Sequence, residues 1–418
     1  MASSEKTAAQ RSRPRDRKQQ IEKAAAEAFA RSGYHPVSMQ DIADTVGITA
    51  TALYRHFPNK YALFAHTAFA FADRLLSATE EASSREVLSR QEARLVIEEL
   101  IDAVAGEFVA DRSINGIYRW EGRHLKGDDR AKLNRKLAVV GSRLTIPYAV
   151  YRPDVPEHER TIILIAAFSV LSSVTMHTTR IAKPRLRARL NELAWRLLDI
   201  DVGAYADGSV RRTPFPDWEA EEGPSAQGSP RREQLLQAGI KLFAEHGYND
   251  ATIEDLAAAV SLTPSGVYRH FAGKSELLTA AYDRASAWLD KAGEAARAQS
   301  QSPAEELRLL CGYYVDHSFR SADLMRVYFS EQGNLDPSDL KHFVQMQRDH
   351  VARWTALFHE VHPDLSARDA PVPLYAFFSI IGDQMTFLPE YDDFASSRLL
   401  AFSDVLLDMP VDDPVSAQ

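Results

Sequence analysis

The sequence predicts an all-α chain built as two tandem copies of one plan, and three observations predict it. First, residues 29–63 (FARSGYHPVSMQDIADTVGITATALYRHFPNKYAL) return without a gap as residues 243–277 (FAEHGYNDATIEDLAAAVSLTPSGVYRHFAGKSEL). The matched pairs Phe29/Phe243, Gly33/Gly247, Tyr34/Tyr248, Asp41/Asp255, Tyr54/Tyr268 and Lys60/Lys274 all differ by 214. Second, apolar residues recur at helical spacing through both halves, with no sustained β alternation. Third, 418 residues exceed what one core organises, so two domains of about 200 residues are the natural division. A period this long marks a duplicated domain, because solenoid units run to roughly 20–50 residues.

The elements follow in chain order. Residues 1–16 form a polar, basic arm carrying Arg11, Arg13 and Arg15, with Arg17 and Lys18 just beyond. A first head spans 17–64. Its first helix places Ile21, Ala25, Ala28 and Phe29 on one face and stops at Gly33. The second copy, 230–278, does the same with Leu235, Leu236, Gly239, Leu242 and Phe243 before Gly247. Ser38 and Thr252 then cap a brief helix (40–46 and 254–260), with Asp41 or Asp255 three residues on as a variant capping box. A turn at Gly47-Ile48 or Ser261-Leu262 leads to a third helix. Thr49 and Thr263 are its N-caps, Pro264 takes the first helical position of the second copy, and the helix ends near His56 or His270. This is a helix-turn-helix unit, and a fourth helix begins near Asn59 or Gly273. The bodies, 65–200 and 279–410, predict helices over 91–109, 131–145, 159–176 and 184–198, then 303–319, 339–359, 372–387 and 396–406. Between the halves, 201–229 is rich in Pro, Gly, Ser and acidic residues and reads as a linker, with no chemistry assigned to Trp218.

Charge is distributed unevenly. The whole chain carries −9, yet residues 1–64 hold ten Lys/Arg against six Asp/Glu, while residues 229–280 hold five against six. Positive charge therefore concentrates at the first head, where an arm beside a helix-turn-helix is expected to reach phosphates or a minor groove. The single cysteine, Cys311, excludes an intramolecular disulfide and an all-cysteine metal site, and fits a reducing, cytoplasmic setting. The N-terminal stretch has no apolar h-region, so no secretory leader is expected. Residues 161–176 are the most membrane-like segment, but they are short for a span and carry Ser and Thr, so a buried interface helix is expected instead.

The residues of the two heads carry a resemblance. Each is similar to the TetR family of bacterial transcriptional regulators: helix, Gly-Tyr, Ser/Thr cap, Ile/Leu-Ala, Gly/Ser turn, then Leu/Val-Tyr-Arg-His-Phe and Lys. The resemblance covers about 50 residues of each half. The segment 120–130 (WEGRHLKGDDR) also resembles tandem actinobacterial regulators of mammalian-cell-entry (lipid import) operons. The resemblance implies double-stranded DNA as partner. Base edges would be approached by Thr49, Ala50 and Thr51 in the first head and by Thr263, Pro264, Ser265 and Gly266 in the second, with Ser38 and Thr252 beside them. It places Tyr54, His56 and Lys60, and Tyr268, His270 and Lys274, on phosphates, with Arg55 and Arg269 free for base or shape readout. Arg13 and Arg15 of the arm join this set. For the two histidines a packed imidazole is the other reading, and Phe57 and Phe271 are read as core.

The recognition segments differ, TATALYRHF against TPSGVYRHF, so one chain is expected to act as an intramolecular pseudo-dimer on an asymmetric or imperfectly palindromic site. Its pairing surface is expected from 159–176 with 184–198 against 372–387 with 396–406. The resemblance also implies a small-molecule effector in the bodies, apolar in character, such as a lipid, a steroid or an acyl thioester. Candidate contacts are Phe69, Phe108, Tyr118, Trp120, Glu121 and Arg123 in the first body. In the second they are Tyr282, Tyr313, Tyr314, His317, Tyr328 and Glu331. Ordinary core packing is the competing reading for these aromatics, and capping or pairing for the two glutamates. No cofactor or metal is expected, since His359 and His362 are spaced by three rather than the four of a zinc-protease helix. No catalytic motif is present. Two other readings stay open: only the basic first head binds DNA while the second half pairs and senses, or the chain is a protein-binding scaffold.

Overall fold

A computed structural model describes residues 14–112, 124–177, 179–206, 230–387 and 394–409. The first half runs α1 Pro14–Ser32, α2 Met39–Val46, α3 Ala50–Tyr54, α4 Lys60–Ser83, α5 Arg90–Ala110, α6 Gly127–Tyr151, α7 Glu157–Ser172, α8 Lys183–Leu198 and the single turn α9 Gly203–Ala206. The second runs α10 Pro230–His246, α11 Ile253–Ala259, α12 Pro264–Val267, α13 Lys274–Gln299, α14 Pro303–Arg320, α15 Ala322–Ser330, α16 Pro337–Val361, α17 Pro371–Phe387 and α18 Ala395–Leu406. No β-strand occurs among the described residues. The expected body helices are found with boundaries moved by a few residues. α6 is the largest extension: it continues through Pro147 because Tyr148 is fully buried beyond it, donating its hydroxyl to Leu198 O at 2.9 Å. Helix α15 lies between two predicted helices, 303–319 and 339–359, in a stretch to which the sequence pattern assigns no helix.

Two compact units result, residues 1–77 with 111–139, and residues 78–110 with 140–418. The first holds the first head. The second holds the second head together with α5, α7 and α8 of the first half, so the units cut across the sequence repeat.

The reason lies in the packing of α7 against α17. Ser379 Oγ donates to Ser169 O at 2.7 Å, and Gln384 Nε2 donates to Ile162 O at 3.3 Å, so the two helices run antiparallel. Ile163, Ala166 and Val170 are fully buried on one side, and Leu374, Ala376 and Ile381 on the other. A stretch apolar nearly all round needs such cover on both faces. By composition alone Glu157–Met176 would suffice to cross a membrane, but it is mostly buried in this interface. Glu159 and Arg398 add a bidentate ion pair (2.7 and 2.9 Å), with side chains only 8% and 4% exposed. A second pair, Arg185 with Asp369, sits at the related place under exchange of the halves, but its arginine is exposed. The halves are thus joined as an intramolecular pseudo-dimer through the surface the sequence predicts. Residues 201–206, read from composition as linker, belong to this packing: Tyr205 is buried and donates its hydroxyl to Glu159 Oε2 at 2.9 Å.

Candidate nucleic-acid interface

Each head is built on the same local chemistry. Ser38 Oγ accepts from Asp41 N at 3.2 Å, while the Asp41 carboxylate accepts from the Ser38 amide at 2.9 Å and from its hydroxyl at 2.6 Å. Thr252 and Asp255 repeat this at 3.0, 3.1 and 2.6 Å. The hydroxyl bonds, then the amide bonds, hold both carboxyls below their usual range. The capping box therefore uses the proton that Ser38 or Thr252 would offer a phosphate.

The turn that follows needs a left-handed residue. Gly47 supplies it at φ 69°, and Ser261 adopts φ 55° at the matching place. Then Thr49 Oγ1 accepts from Ala52 N at 3.2 Å, and Thr263 Oγ1 accepts from Gly266 N at 3.3 Å. The recognition helices so opened are short, five and four residues, and end at Tyr54 and Val267 rather than near His56 and His270. Leu53 and Val267 are fully buried, and Phe57 and Phe271 nearly so, which anchors each helix on its head.

What is left outside is compact. Thr49, Thr51, Arg55 and His56 are exposed in the first head, with Tyr54 half exposed and Ala50 partly covered. In the second, Thr263, Pro264, Ser265 and Arg269 are exposed and Tyr268 is 56% exposed, with Gly266 and His270 partly covered. Both histidines thus stand at the surface edge rather than in the core.

The two lysines are engaged by backbone carbonyls of their own heads. Lys274 Nζ donates to the carbonyls of Tyr248 (2.7 Å), Asn249 (3.3 Å) and Ala251 (2.7 Å). An ammonium has three donors, so none remains for a phosphate. Lys60 donates to Tyr34 O and His35 O, both at 3.0 Å, and lies over the Tyr34 ring at 4.5 Å. Burial lowers both lysines' pKa. These two residues brace the turn after the first helix. Two further pairs escaped the sequence reading. Arg17 and Arg231 each reach the last carbonyl region of the following helix, Val46 O and Val260 O, at 3.4 Å. Lys18 lies over Phe57 at 5.7 Å and Arg232 over Phe271 at 3.8 Å. Both pairs obey the 214 offset, and that offset was the available signal. Arg13 and the Arg15 side chain lie outside the described residues.

The model of the bacterial regulatory proteins of the TetR family matches residues 21–67 and again 235–281. The chain carries the N-terminal domain of the TetR family twice. A tetracyclin repressor-like C-terminal domain matches residues 300–383. The transcriptional activator FasR of Mycolicibacterium smegmatis is 35% identical over 92 residues, 22% of this chain and 42% of that protein. The transcriptional regulator TcmR of Streptomyces glaucescens is 41% identical over 46 residues, 11% of this chain and 20% of that protein. The matches thus span less than half the length of these relatives. A TetR-family regulator structure from Bordetella parapertussis aligns with 43% of this chain and 96% of its own, at 20% identity and a TM-score of 0.41.

Within the two bodies the effector candidates separate. Tyr118, Trp120, Glu121 and Arg123 lie outside the described residues. Phe69 lies under Lys132 Nζ at 4.6 Å, and Phe108 is fully buried, edge-on to Phe168. The structure brings Tyr282 and Tyr328 together around Phe343, and Tyr282 donates to the carbonyls of Val327 and Tyr328 at 3.0 Å. Tyr314 joins Trp354, Phe377 and Phe378 instead, and Tyr313 donates to Gln299 Oε1 at 3.1 Å. Glu331 is fully buried and accepts from Asn334 Nδ2 at 2.7 Å. His317 is distinct. It stacks on Trp288 at 3.8 Å, burial lowers its pKa to about 4, and its Nε2 is buried without a hydrogen-bond partner.

Proposed function

We propose that this chain is a sequence-specific, DNA-binding transcriptional regulator in which two unequal heads on one polypeptide read an asymmetric or imperfectly palindromic operator. One observation carries the reading. The heads share the capping boxes, the threonine N-caps and the lysine braces at matched positions, while their exposed recognition residues differ: Thr49, Ala50 and Thr51 against Thr263, Pro264 and Ser265. Shared scaffolding with different small residues at the helix start is what two readers of different half-sites need. Joining them covalently raises the local concentration of the second head once the first is bound. Its operation requires access to DNA, hence a cytoplasmic setting.

We place the division at 17–64 and 230–278 for the heads and 65–200 and 279–410 for the bodies. In this reading the regulator represses and is released by an apolar effector held in a body. The aromatic clusters of the second body and the unpartnered nitrogen of His317 support that position. An apolar site with few polar anchors suits a lipid, a steroid or an acyl thioester. Control of lipid-import operons, implied by the resemblance of residues 120–130, belongs to the same proposal.

The test is footprinting of the intact chain on genomic DNA, repeated with Tyr54→Ala/Arg55→Ala and with Tyr268→Ala/Arg269→Ala. Two unlike half-sites, each lost with its own head, are expected. Loss with the first pair alone assigns DNA binding to the first head only. A symmetric palindrome that needs two chains overturns the pseudo-dimer reading, and DNA affinity insensitive to salt overturns specific operator binding altogether. Titration with acyl thioesters and steroids, followed by operator release, tests the effector.

A further inference from the structure

The turn after the first helix of each head meets the segment leading into the helix 337–361 or its first-half counterpart, α6. In the first half this meeting is His35 Nε2 against His124 Nδ1 at 3.3 Å, with the rings edge to face at 4.6 Å. In the second half it is Asn249 Nδ2 donating to Asn334 Oδ1 at 3.2 Å. The partners correspond by position, His35 with Asn249 at 214 and His124 with Asn334 at 210. One latch is therefore made of two titratable groups and the other of two amides that do not titrate.

From this juxtaposition we propose that the first head alone is fastened by a proton-sensitive latch, opened when both His35 and His124 become imidazolium. A hydrogen bond between imidazoles needs one nitrogen with a free lone pair. One added proton leaves such a nitrogen; two remove both acceptors and set like charges in contact. Like charge opposes the second proton once the first imidazolium has formed, so opening the latch needs acid. The amide pair between Asn249 and Asn334 keeps its own donor and acceptor throughout, although Asn334 also donates to the buried Glu331 carboxylate at 2.7 Å.

The surroundings add to the asymmetry. His124 stacks on Tyr34 at 5.6 Å, and the Lys60 ammonium donates to the His35 carbonyl at 3.0 Å. Charged groups among the described residues of these elements include Arg31 at the end of α1, Lys126 just before α6, and Asp128, Asp129 and Arg130 in its first turn. Of these, Asp129 is held by the Tyr61 hydroxyl at 2.6 Å, and the Lys126 ammonium lies over the Tyr61 ring at 4.8 Å. The latch does not depend on the DNA reading, although that reading gives it a use: one reader loosened by acid while the other stays firm.

The experiment is amide hydrogen exchange on the full-length chain at pH 7.5 and 5.5, in chelator, with intrinsic rates corrected. Protection over 33–37 and 124–127 is expected to fall by about tenfold in acid, the order of one lost net hydrogen bond. Protection over 247–251 and 334–337 is expected to hold. The variant His35→Asn/His124→Asn, which copies the second half's pair, is expected to keep its fold and lose the acid response. Parallel changes in both heads, or an acid response that survives in this variant, would overturn the proposal. So would an acid response seen only when chelator is omitted, which would assign the imidazole pair to a metal ion.

Discussion

Ser261 is one residue at which the matched turns of the two heads differ. It occupies the left-handed region that Gly47 fills in the first copy, and a side chain there costs about 1 kcal/mol. Ser261→Gly is expected to stabilise the second head by about that amount, and Gly47→Ala to weaken the first equally. The readout is hydrogen-exchange protection across residues 253–271 and 39–57, because a chain of this size has no single unfolding transition. An unchanged second head in Ser261→Gly would show that the turn strain is relieved elsewhere. His317 gives a second residue-scale expectation. Its folded pKa of about 4 lies below the unfolded value near 6.5, so the unfolded chain binds more protons between those limits. Stability is therefore fully present above pH 6.5 and is lost as pH falls toward 4, by roughly 3 kcal/mol for a shift of this size. His317→Phe, which keeps a ring on Trp288, is expected to flatten the unfolding profile of the second body in that window. A slope as steep as that of the parent chain would place the acid lability on other groups.

At the scale of elements, the parts legible in the sequence are those set by local chemistry. Ser38, Thr49, Thr252 and Thr263 sit at caps because each needs only its own amides three residues on, which spacing reveals. The ends of α3 and α12 were not legible. They are set by Leu53 and Val267 entering the core, a tertiary event. Likewise a lysine after Tyr-Arg-His-Phe looks like a phosphate ligand until the carbonyls of residues 248, 249 and 251 converge on it. Helix α15 was hidden because only Ser321 separates it from α14. What the elements do for recognition can be tested by exchange. Placing Thr263-Pro264-Ser265 at positions 49–51, and the reverse, leaves both caps in place and is expected to swap the preferred half-sites on the footprint. Because each threonine cap is kept, stability is expected to change by less than the roughly 1 kcal/mol that a lost cap costs. Half-sites that stay where they were would move specificity away from these three positions, toward Arg55, Arg269 and DNA shape.

At the scale of the molecule, pairing of the halves rests on a contact that sequence patterning located but did not describe. The apolar runs of α7 and α17 announced a buried interface; the ion pair of Glu159 and Arg398 inside it was invisible, since the two residues lie 239 positions apart. A buried pair of this kind contributes little net stability against apolar residues of the same size, but removing one partner strands the other charge at about 3–5 kcal/mol. Arg398→Met and Glu159→Gln are each expected to weaken the interface strongly. The double variant Glu159→Leu/Arg398→Met is expected to recover most of the loss, leaving Tyr205 to find a new acceptor. The measurement is thermal unfolding of the unit that holds α7 and α17, taken at several chain concentrations. Because both surfaces lie on one polypeptide, the midpoint is expected not to move with concentration, whereas a pairing between two chains would raise it by mass action. If the midpoint rises with concentration in the parent chain, the interface is shared between copies and a single chain is not the reading unit. If it is constant but the double variant stays as weak as the singles, the pair is there for stability and the apolar run alone does not hold the halves together.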